Sequence, residues 1–302
     1  MIYNIPNFLY NLLLQQYGKE ITQKIIEGYS QKRPVTLRAN TLKTNIQNIK
    51  NILDTLGYTY KEISWYKDAL MIENVFEEQI KNLQIYKNGE IYLQNLSSMI
   101  PPLVLSPEEN ENILDMTAAP GGKTTQMLAL SQNCAYITAC EKNKIRAERL
   151  QYNLNKLGAN RVNVMITDAR KLDSFFSFDK ILLDAPCSGS GTISIFDKNL
   201  ETIFTEELVN RSSKIQSSLF EKALTLLNSG HEMVYSTCSI LSKENEEIIQ
   251  KFIDLKKVEV IPICLSSFSD VNLLPTSIEG TLCICPSNLY EGFFVAKLRK
   301  CQ

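Results

Sequence analysis

From about residue 96 onward the chain alternates short apolar strands with helices, and this alternation limits the fold more than any other feature. Strand patterns run over 112–115, 135–139, 162–166, 179–183 and 232–236. Helical spacing fills 144–157, closed by Gly158, and 206–227, ending near Gly230. Such units close through right-handed crossovers, so they predict a parallel sheet with helices on both faces. Segments 281–284 and 292–298 read as a strand pair that adds an antiparallel edge. The expected class is α/β, a Rossmann-like doubly wound sheet.

The first part of the chain reads differently. A helix over 8–17 meets Gly18, a second runs over 21–29, a strand over 34–40 follows, and a helix over 46–56 stops at Gly57. This predicts a small α+β domain, 1–95, ahead of a larger one, 96–302. With 302 residues, 44% of them hydrophobic, the chain can fill two cores. No apolar run reaches bilayer length, and residues 1–14 lack the basic start of a signal peptide. A cytoplasmic protein with no membrane contact is expected.

The residue after each strand marks the ligand crevice of such a sheet. The first strand opens into Asp115-Met-Thr-Ala-Ala-Pro-Gly-Gly-Lys-Thr124, where adjacent glycines let backbone approach a ligand at a helix start. Glu141 follows the second strand, twenty residues beyond Gly121, the spacing at which an acid meets ribose hydroxyls. Asp168 follows the third strand and Asp184 the fourth. Taken singly these acids read as helix caps. As a set they suit a ligand carrying hydroxyls and amines but no phosphates. A P-loop is excluded because Thr117 stands where its first glycine belongs, and G-x-G-x-x-G is absent from this turn.

Two cysteines stand at the same rim. Asp184-Ala-Pro-Cys-Ser-Gly-Ser-Gly-Thr192 follows strand four, and Ser236-Thr-Cys-Ser239 follows strand five, which places Cys187 beside Cys238. A thiolate there can turn a poor carbon nucleophile such as carbon 5 of cytosine into an enamine by adding to carbon 6. Asp184 could bind and protonate the base at N3. A Cys–His pair is out of reach, because His231 lies seven residues before Cys238 on one strand, roughly 23 Å at ~3.3 Å per residue. Buried turn and strand-end cysteines are the bland alternative. The eight cysteines include no C-x-x-C pair, and Cys283 and Cys285 are separated by one residue, so neither a disulfide framework nor a metal site is expected.

These motifs, in this order, resemble the RsmB/Nol/Nop/Sun family of RNA 5-methylcytosine methyltransferases. Leu37-Arg-Ala-Asn-Thr-Leu-Lys43, Tyr92-Leu-Gln-Asn-Leu-Ser-Ser98 and Glu291-Gly-Phe-Phe-Val-Ala296 carry the resemblance along nearly the whole chain. It implies a class I methyltransferase fold, S-adenosylmethionine as cofactor, Cys238 as nucleophile and Cys187 in product release. It also implies a site for cofactor and base lined by Ala118, Ala119, Pro120, Gly121, Gly122, Lys123, Glu141, Asp168 and Asp184, with Lys123 reaching the catalytic centre. The compact form is similar to bacterial ribosomal-RNA members, so 16S ribosomal RNA is the expected target. Where relatives often carry an Arg-Pro-His-like stretch, this chain reads Cys285-Pro-Ser-Asn288, which leaves one RNA contact open.

The charge is nearly balanced, 32 Lys+Arg against 33 Asp+Glu, so RNA affinity must come from a local patch. Lys32, Arg33, Arg38 and Lys43 cluster around the first strand and are expected to face the RNA backbone. The target cytosine must leave its stack, which favours a loop or exposed strand. A monomer is expected. Three alternatives stand beside this reading: a transfer-RNA target, a non-catalytic RNA-binding assembly factor, and a methyltransferase acting on protein or a small molecule. A binding-only protein needs neither thiol, and the third has no use for two cysteines at the rim.

Overall fold

The computed structural model describes residues 5–302. The signal-peptide reading of residues 1–14 therefore falls in part on residues 1–4, outside the described ones. Helix α1 (Asn7–Tyr29) merges the two expected helices across a kink at Gly18, whose φ of 72° is open to glycine and strained for other residues. Then come β1 (Val35–Ala39), α2 (Ile46–Thr55), β2 (Tyr60–Ile63), β3 (Tyr66–Ile72), α3 (Glu77–Asn82), α4 (Gln84–Lys87) and β4 (Ile91–Leu93). Their four-stranded antiparallel sheet has the order β2-β3-β1-β4. The larger unit follows with α5 (Leu96–Leu105), β5 (Asn112–Asp115), α6 (Gly122–Leu130), β6 (Tyr136–Cys140), α7 (Lys144–Leu157), β7 (Val162–Met165) and β8 (Phe178–Asp184). It is completed by α8 (Leu200–Ile203), α9 (Glu206–Leu226), β9 (Leu227–Thr237), α10 (Glu246–Asp254), β10 (Val258–Ile261), β11 (Leu273–Leu274), β12 (Leu282–Ile284) and β13 (Phe293–Lys300).

The large sheet runs β11-β12-β13-β9-β8-β5-β6-β7, with β10 also paired to β13. Strands β9-β8-β5-β6-β7 are parallel and β13 joins β9 antiparallel. From β5 the chain first builds outward through β6 and β7, then returns to place β8 on the other flank. The reversal opens a crevice beyond the carboxyl ends of β5 and β8, where ligands of such sheets sit. The expected fold class holds, and its antiparallel edge is larger than the sequence suggested. Helix α5 escaped the sequence reading because Pro101 and Pro102 look like breakers, yet both are buried within it against α6 and the sheet.

Each face of the large sheet has its own core. One gathers α1, α9 and α10, with Leu13, Ile25, Phe220, Tyr235, Phe252 and Phe294 fully or nearly buried. The other gathers α5, α6 and α7 around Ile113, Leu150, Leu182 and Val234. The small sheet keeps a third core, in which Val35, Leu37 and Ala39 of β1 meet Ile49 and Leu53 of α2. A strand's side chains alternate between faces, so Thr36, Arg38 and Asn40 point the other way, onto the large unit. Asn40 Nδ2 donates to Gly89 O and Leu157 O, both at 2.8 Å.

That docking corrects one expected RNA contact and gives another a second partner. Arg38 is fully buried: its Nε donates to Gln94 Oε1 at 2.9 Å, and one terminal nitrogen donates to Gly122 O at 3.0 Å and Thr125 Oγ1 at 2.7 Å. The polar face of β1 meets protein instead of solvent, so the guanidinium cannot reach a phosphate. Lys43 is exposed, but its ammonium donates to Asn88 O at 2.9 Å and Lys156 O at 2.7 Å, bracing the small unit on α7.

Candidate active site

The turn after β5 is shaped by the buried Asp115, whose carboxylate accepts from Thr124 Oγ1 at 2.7 Å; burial pushes this carboxyl up to about 6. Gly121 takes a φ of 104°, and a Cβ there would meet Leu150 Cδ1 at 2.9 Å. A Cβ on Gly122 would meet the Tyr92 ring at 2.9 Å. Gly121 is thus required by its left-handed backbone, and Gly122 by its close approach to the small sheet. Thr117 Oγ1 donates to Asp184 O at 2.7 Å and ties this turn to the end of β8.

A cavity of about 270 Å³ opens beside the turn, lined by Ala119, Glu141, Asp168, Asp184, Cys187 and Cys238 among others. Met116, Ala185, Pro186, Ile215 and Leu219 give it an apolar wall. Glu141 is buried, accepts from Asn143 N at 2.8 Å and lies 3.4 Å from Arg146. Arg170 grips Asp168 with bonds of 3.0 and 2.5 Å to its two oxygens, and these hold the carboxyl down at about 2. Asp168 also caps the short 3-10 turn that follows it, so the cap reading and the ligand reading coexist.

A second cavity of about 190 Å³ adjoins the first, sharing Thr117, Ala119 and Asp184, and is lined by Ala118, Pro120, Gly122, Lys123, Tyr92 and Ser98. Lys123 Nζ donates to Asp184 Oδ2 at 2.7 Å and to Ser98 Oγ at 2.8 Å. Ser236 Oγ donates to Asp184 Oδ1 at 2.8 Å. Both Asp184 oxygens thus act as acceptors, and the proton donor nearest them is the Lys123 ammonium. Lys123 thus stands beside Asp184, the residue expected to bind and protonate a base. The structure brings the expected cofactor residues to these two adjoining cavities, apart from Gly121, which is turned against α7 and lines neither.

The two thiols meet where β8 and β9 end side by side. Cys187 Sγ and Cys238 Sγ are 3.1 Å apart. The hydrogen bond between them, together with burial and the nearby Glu244 carboxylate, pushes the Cys187 thiol well above its ordinary range. Their turns are stitched together: Gly191 N donates to Cys238 O at 2.9 Å, and Ser190 Oγ and Ser239 Oγ are 2.8 Å apart. Helix α1 holds both turns from below, with Tyr29 Oη donating to Ser190 O at 2.6 Å and Tyr17 Oη to Ile240 O at 2.5 Å. His231 is exposed within β9, seven residues before Cys238, its Nδ1 3.0 Å from Asp179 O. No group of histidine, cysteine or acidic residues suited to a metal occurs among the described residues.

Arg146, Arg170, Ser98, Ser236, Glu244 and Asn245 escaped the sequence reading. Arg146 and Arg170 could have been suspected, since each lies within five residues of a strand-end acid. Of the four expected RNA contacts, Lys32 and Arg33 line an open groove, while Arg38 and Lys43 brace the two units. Among the described residues no helix is long and apolar enough to cross a membrane.

Comparison with known proteins agrees with this geometry. The family described as 16S rRNA methyltransferase RsmB/F matches residues 102–299. Its RsmF/B-like ferredoxin-like domain matches residues 5–77. The chain is 34% identical to ribosomal RNA small subunit methyltransferase F of Shewanella oneidensis, over 98% of this chain and 63% of that protein. It is 34% identical to the 25S rRNA (cytosine-C(5))-methyltransferase nop2 of Schizosaccharomyces pombe, over 99% of this chain and 51% of that one. The chain thus spans between about half and just under two thirds of the length of these relatives. The crystal structure of a methyltransferase homolog from Pyrococcus horikoshii superposes with a TM-score of 0.82 at 31% identity, covering 98% of this chain and 100% of that one.

Proposed function

The chain belongs to the 16S rRNA methyltransferase RsmB/F family, and from that footing we propose that it methylates carbon 5 of a cytosine in ribosomal RNA, 16S RNA in the first place, through a covalent bond to Cys238. The observation that carries this reading is the 3.1 Å contact of Cys187 and Cys238 on the wall of a cavity that also holds Glu141, Asp168 and Asp184. A binding protein needs no such pair.

The residues fit S-adenosylmethionine. Glu141 and Asp168 offer acceptors for ribose hydroxyls and an adenine amine, the apolar wall suits a purine, and the backbone around Ala119 can approach closely. When bound, this cofactor supplies an electrophilic methyl group. The chain's own residues do the rest. The Cys238 thiolate adds to carbon 6, which makes carbon 5 electron-rich. Lys123, held between Ser98 and Asp184, is the cation placed to give N3 its proton. After methylation the proton on carbon 5 leaves to solvent, the carbon–sulfur bond breaks, and N3 returns its proton to Lys123. Cys187 stabilises the departing sulfur as a thiolate through their S–H···S contact, which is its part in release.

An open groove continues from the second cavity past Tyr92, Leu93 and Gln94 to Lys32, Arg33 and Phe76. Lys32 Nζ lies 4.9 Å from the centre of the Phe76 ring, which is 64% exposed. Cations beside an exposed ring suit a single strand with a flipped-out target base. In this proposal residues 1–95 guide RNA and 96–302 transfer the methyl group, with α1 serving the second unit by its packing. One chain supplies every part, so a monomer suffices. Eight cysteines, all free among the described residues, favour the cytoplasm.

The test is tritium transfer from S-adenosylmethionine to ribosomal RNA. Cys238→Ala should give neither product nor adduct, and Cys187→Ala should accumulate a denaturation-resistant protein–RNA adduct. Methylation by Cys238→Ala at the wild-type rate would end the covalent reading.

A further inference from the structure

Cys187 and Cys238 are 51 positions apart, yet one carboxylate grips the residue that follows each of them. Glu244 Oε1 accepts from the Ser188 backbone N–H at 2.7 Å, and Oε2 accepts from the Ser188 hydroxyl at 2.6 Å. The same Oε2 accepts from the Ser239 hydroxyl at 2.5 Å. Asn245 brackets Cys238 from the other side: its Oδ1 accepts from Thr237 Oγ1 at 2.5 Å, and its Nδ2 donates to Ser239 O at 2.9 Å. Both residues are fully buried.

Burial works against the Glu244 carboxylate and pushes its carboxyl upward, while the serine donors oppose the rise. An apolar side chain of similar size commonly serves a fold as well as a buried ionic group does. What an apolar filler cannot do is accept from three donors on two separate turns. Two thiols must stay in contact while one of them swings onto a ring, and a carboxylate shared by their turns fixes that spacing. Glu244 touches neither sulfur, so its part is positioning.

On the reading that these thiols perform the chemistry, we infer that Glu244 is the positioning residue that sets the Cys187–Cys238 separation, with Asn245 holding the Cys238 turn. The experiment compares Glu244→Gln, which meets the three donors with a single acceptor, and Glu244→Asp, which keeps the charge on a shorter stem. The first readout is binding of phenylarsine oxide, a trivalent arsenical that bridges two adjacent thiols, with Cys187→Ser marking the single-thiol level. The second is kcat against KM for methyl transfer to RNA. Glu244→Gln should fall toward the single-thiol level and lose about 100-fold in kcat, the scale of an ångström's misplacement at a reacting centre. KM for RNA and Kd for S-adenosylmethionine should stay near the wild-type values, and Glu244→Asp should recover part of both losses.

Wild-type arsenical binding and kcat in Glu244→Gln would overturn the inference. So would a loss of cofactor binding in step with the loss of kcat, since that marks a residue that only holds the fold. If Glu244→Gln does not fold, Ser188→Ala and Ser239→Ala remove one hydroxyl donor each. A smaller loss in both readouts from each supports the inference, and wild-type values in both overturn it. The arsenical readout needs no RNA, so it still reports the thiol spacing if the proposed methylation is wrong.

Discussion

Replacing Arg38 by lysine separates two roles that a basic residue in this region could have. A phosphate contact tolerates the exchange well, because an ammonium is also a good point charge for phosphate. A buried fork does not. Nε of Arg38 serves Gln94 Oε1 while one terminal nitrogen serves Gly122 O and Thr125 Oγ1. A single ammonium cannot span these acceptors. The Arg38 guanidinium also lies 5.2 Å from the centre of the Tyr92 ring. Losing one charged hydrogen bond costs about 1.5–3 kcal/mol, and weakening a desolvated cation–ring contact adds about 0.5–2 kcal/mol. The total is about 2–5 kcal/mol, with the buried positive charge still in place. An unfolding entropy of about 2 cal/mol/K per residue over 302 residues corresponds to about 0.6 kcal/mol per degree. Arg38→Lys should therefore lower Tm by roughly 3–8 °C in calorimetry, while the salt dependence of RNA binding stays that of the wild type. A Tm within a degree of wild type, together with weakened RNA binding, would refute the buried brace and return Arg38 to the RNA surface.

The converse holds for Lys32→Ala, which should leave Tm unchanged and reduce the slope of log affinity for RNA against log salt by about 0.7–1, one phosphate contact; filter binding across a salt series measures it. Gly191→Ala places a Cβ 1.9 Å from Gly292 O, which must push the Cys187 turn away from the start of β13, so methyl transfer should fall about 100-fold in a steady-state assay. Asp168, held down at about 2 by Arg170, starts from an ordinary value near 3.8, so its stabilising effect is full above that value and disappears as pH falls toward 2. The Tm gap between wild type and Asp168→Asn should accordingly be constant from pH 7 to 5 and shrink below pH 4, as calorimetry in a pH series would show.

The parts of the site that were legible in the sequence are those whose geometry is local. A strand that ends in an acid announces its own turn, so Asp115, Glu141, Asp168 and Asp184 could be placed from spacing alone, whereas the direction in which Gly121 faces could not. Cys187 and Cys238 needed one further step, that β8 and β9 lie side by side, and strand–helix alternation supplies it. Arg38 was misplaced because alternation tells which residues share a face and is silent on what covers that face. The polar face of β1 reads as solvated until the large unit is seen docked on it. Glu244 and Asn245 were invisible for a related reason. The run Ser242-Lys-Glu-Asn-Glu-Glu247 reads as a solvated helix start, and only its return beneath the Cys238 turn buries three of its polar side chains, Glu244, Asn245 and Glu246.

Two thiols 3.1 Å apart also pose a problem of charge, and the surroundings resolve it unequally. A pair of thiolates in contact, with the Glu244 carboxylate beside them, would place like charges together away from water, so the pair can give up one proton far more readily than two. Cys187 is the partner whose proton is held, by its bond to Cys238, by burial and by the neighbouring carboxylate. In the proposed mechanism two residues of the same chemical type take different tasks without a histidine or a metal: Cys238 attacks, and Cys187, whose proton is held, supplies the hydrogen bond that makes the attacker a good leaving group. That ordering agrees with the family resemblance, and the bond to Cys238, burial and the Glu244 carboxylate behind the Cys187 turn all favour it.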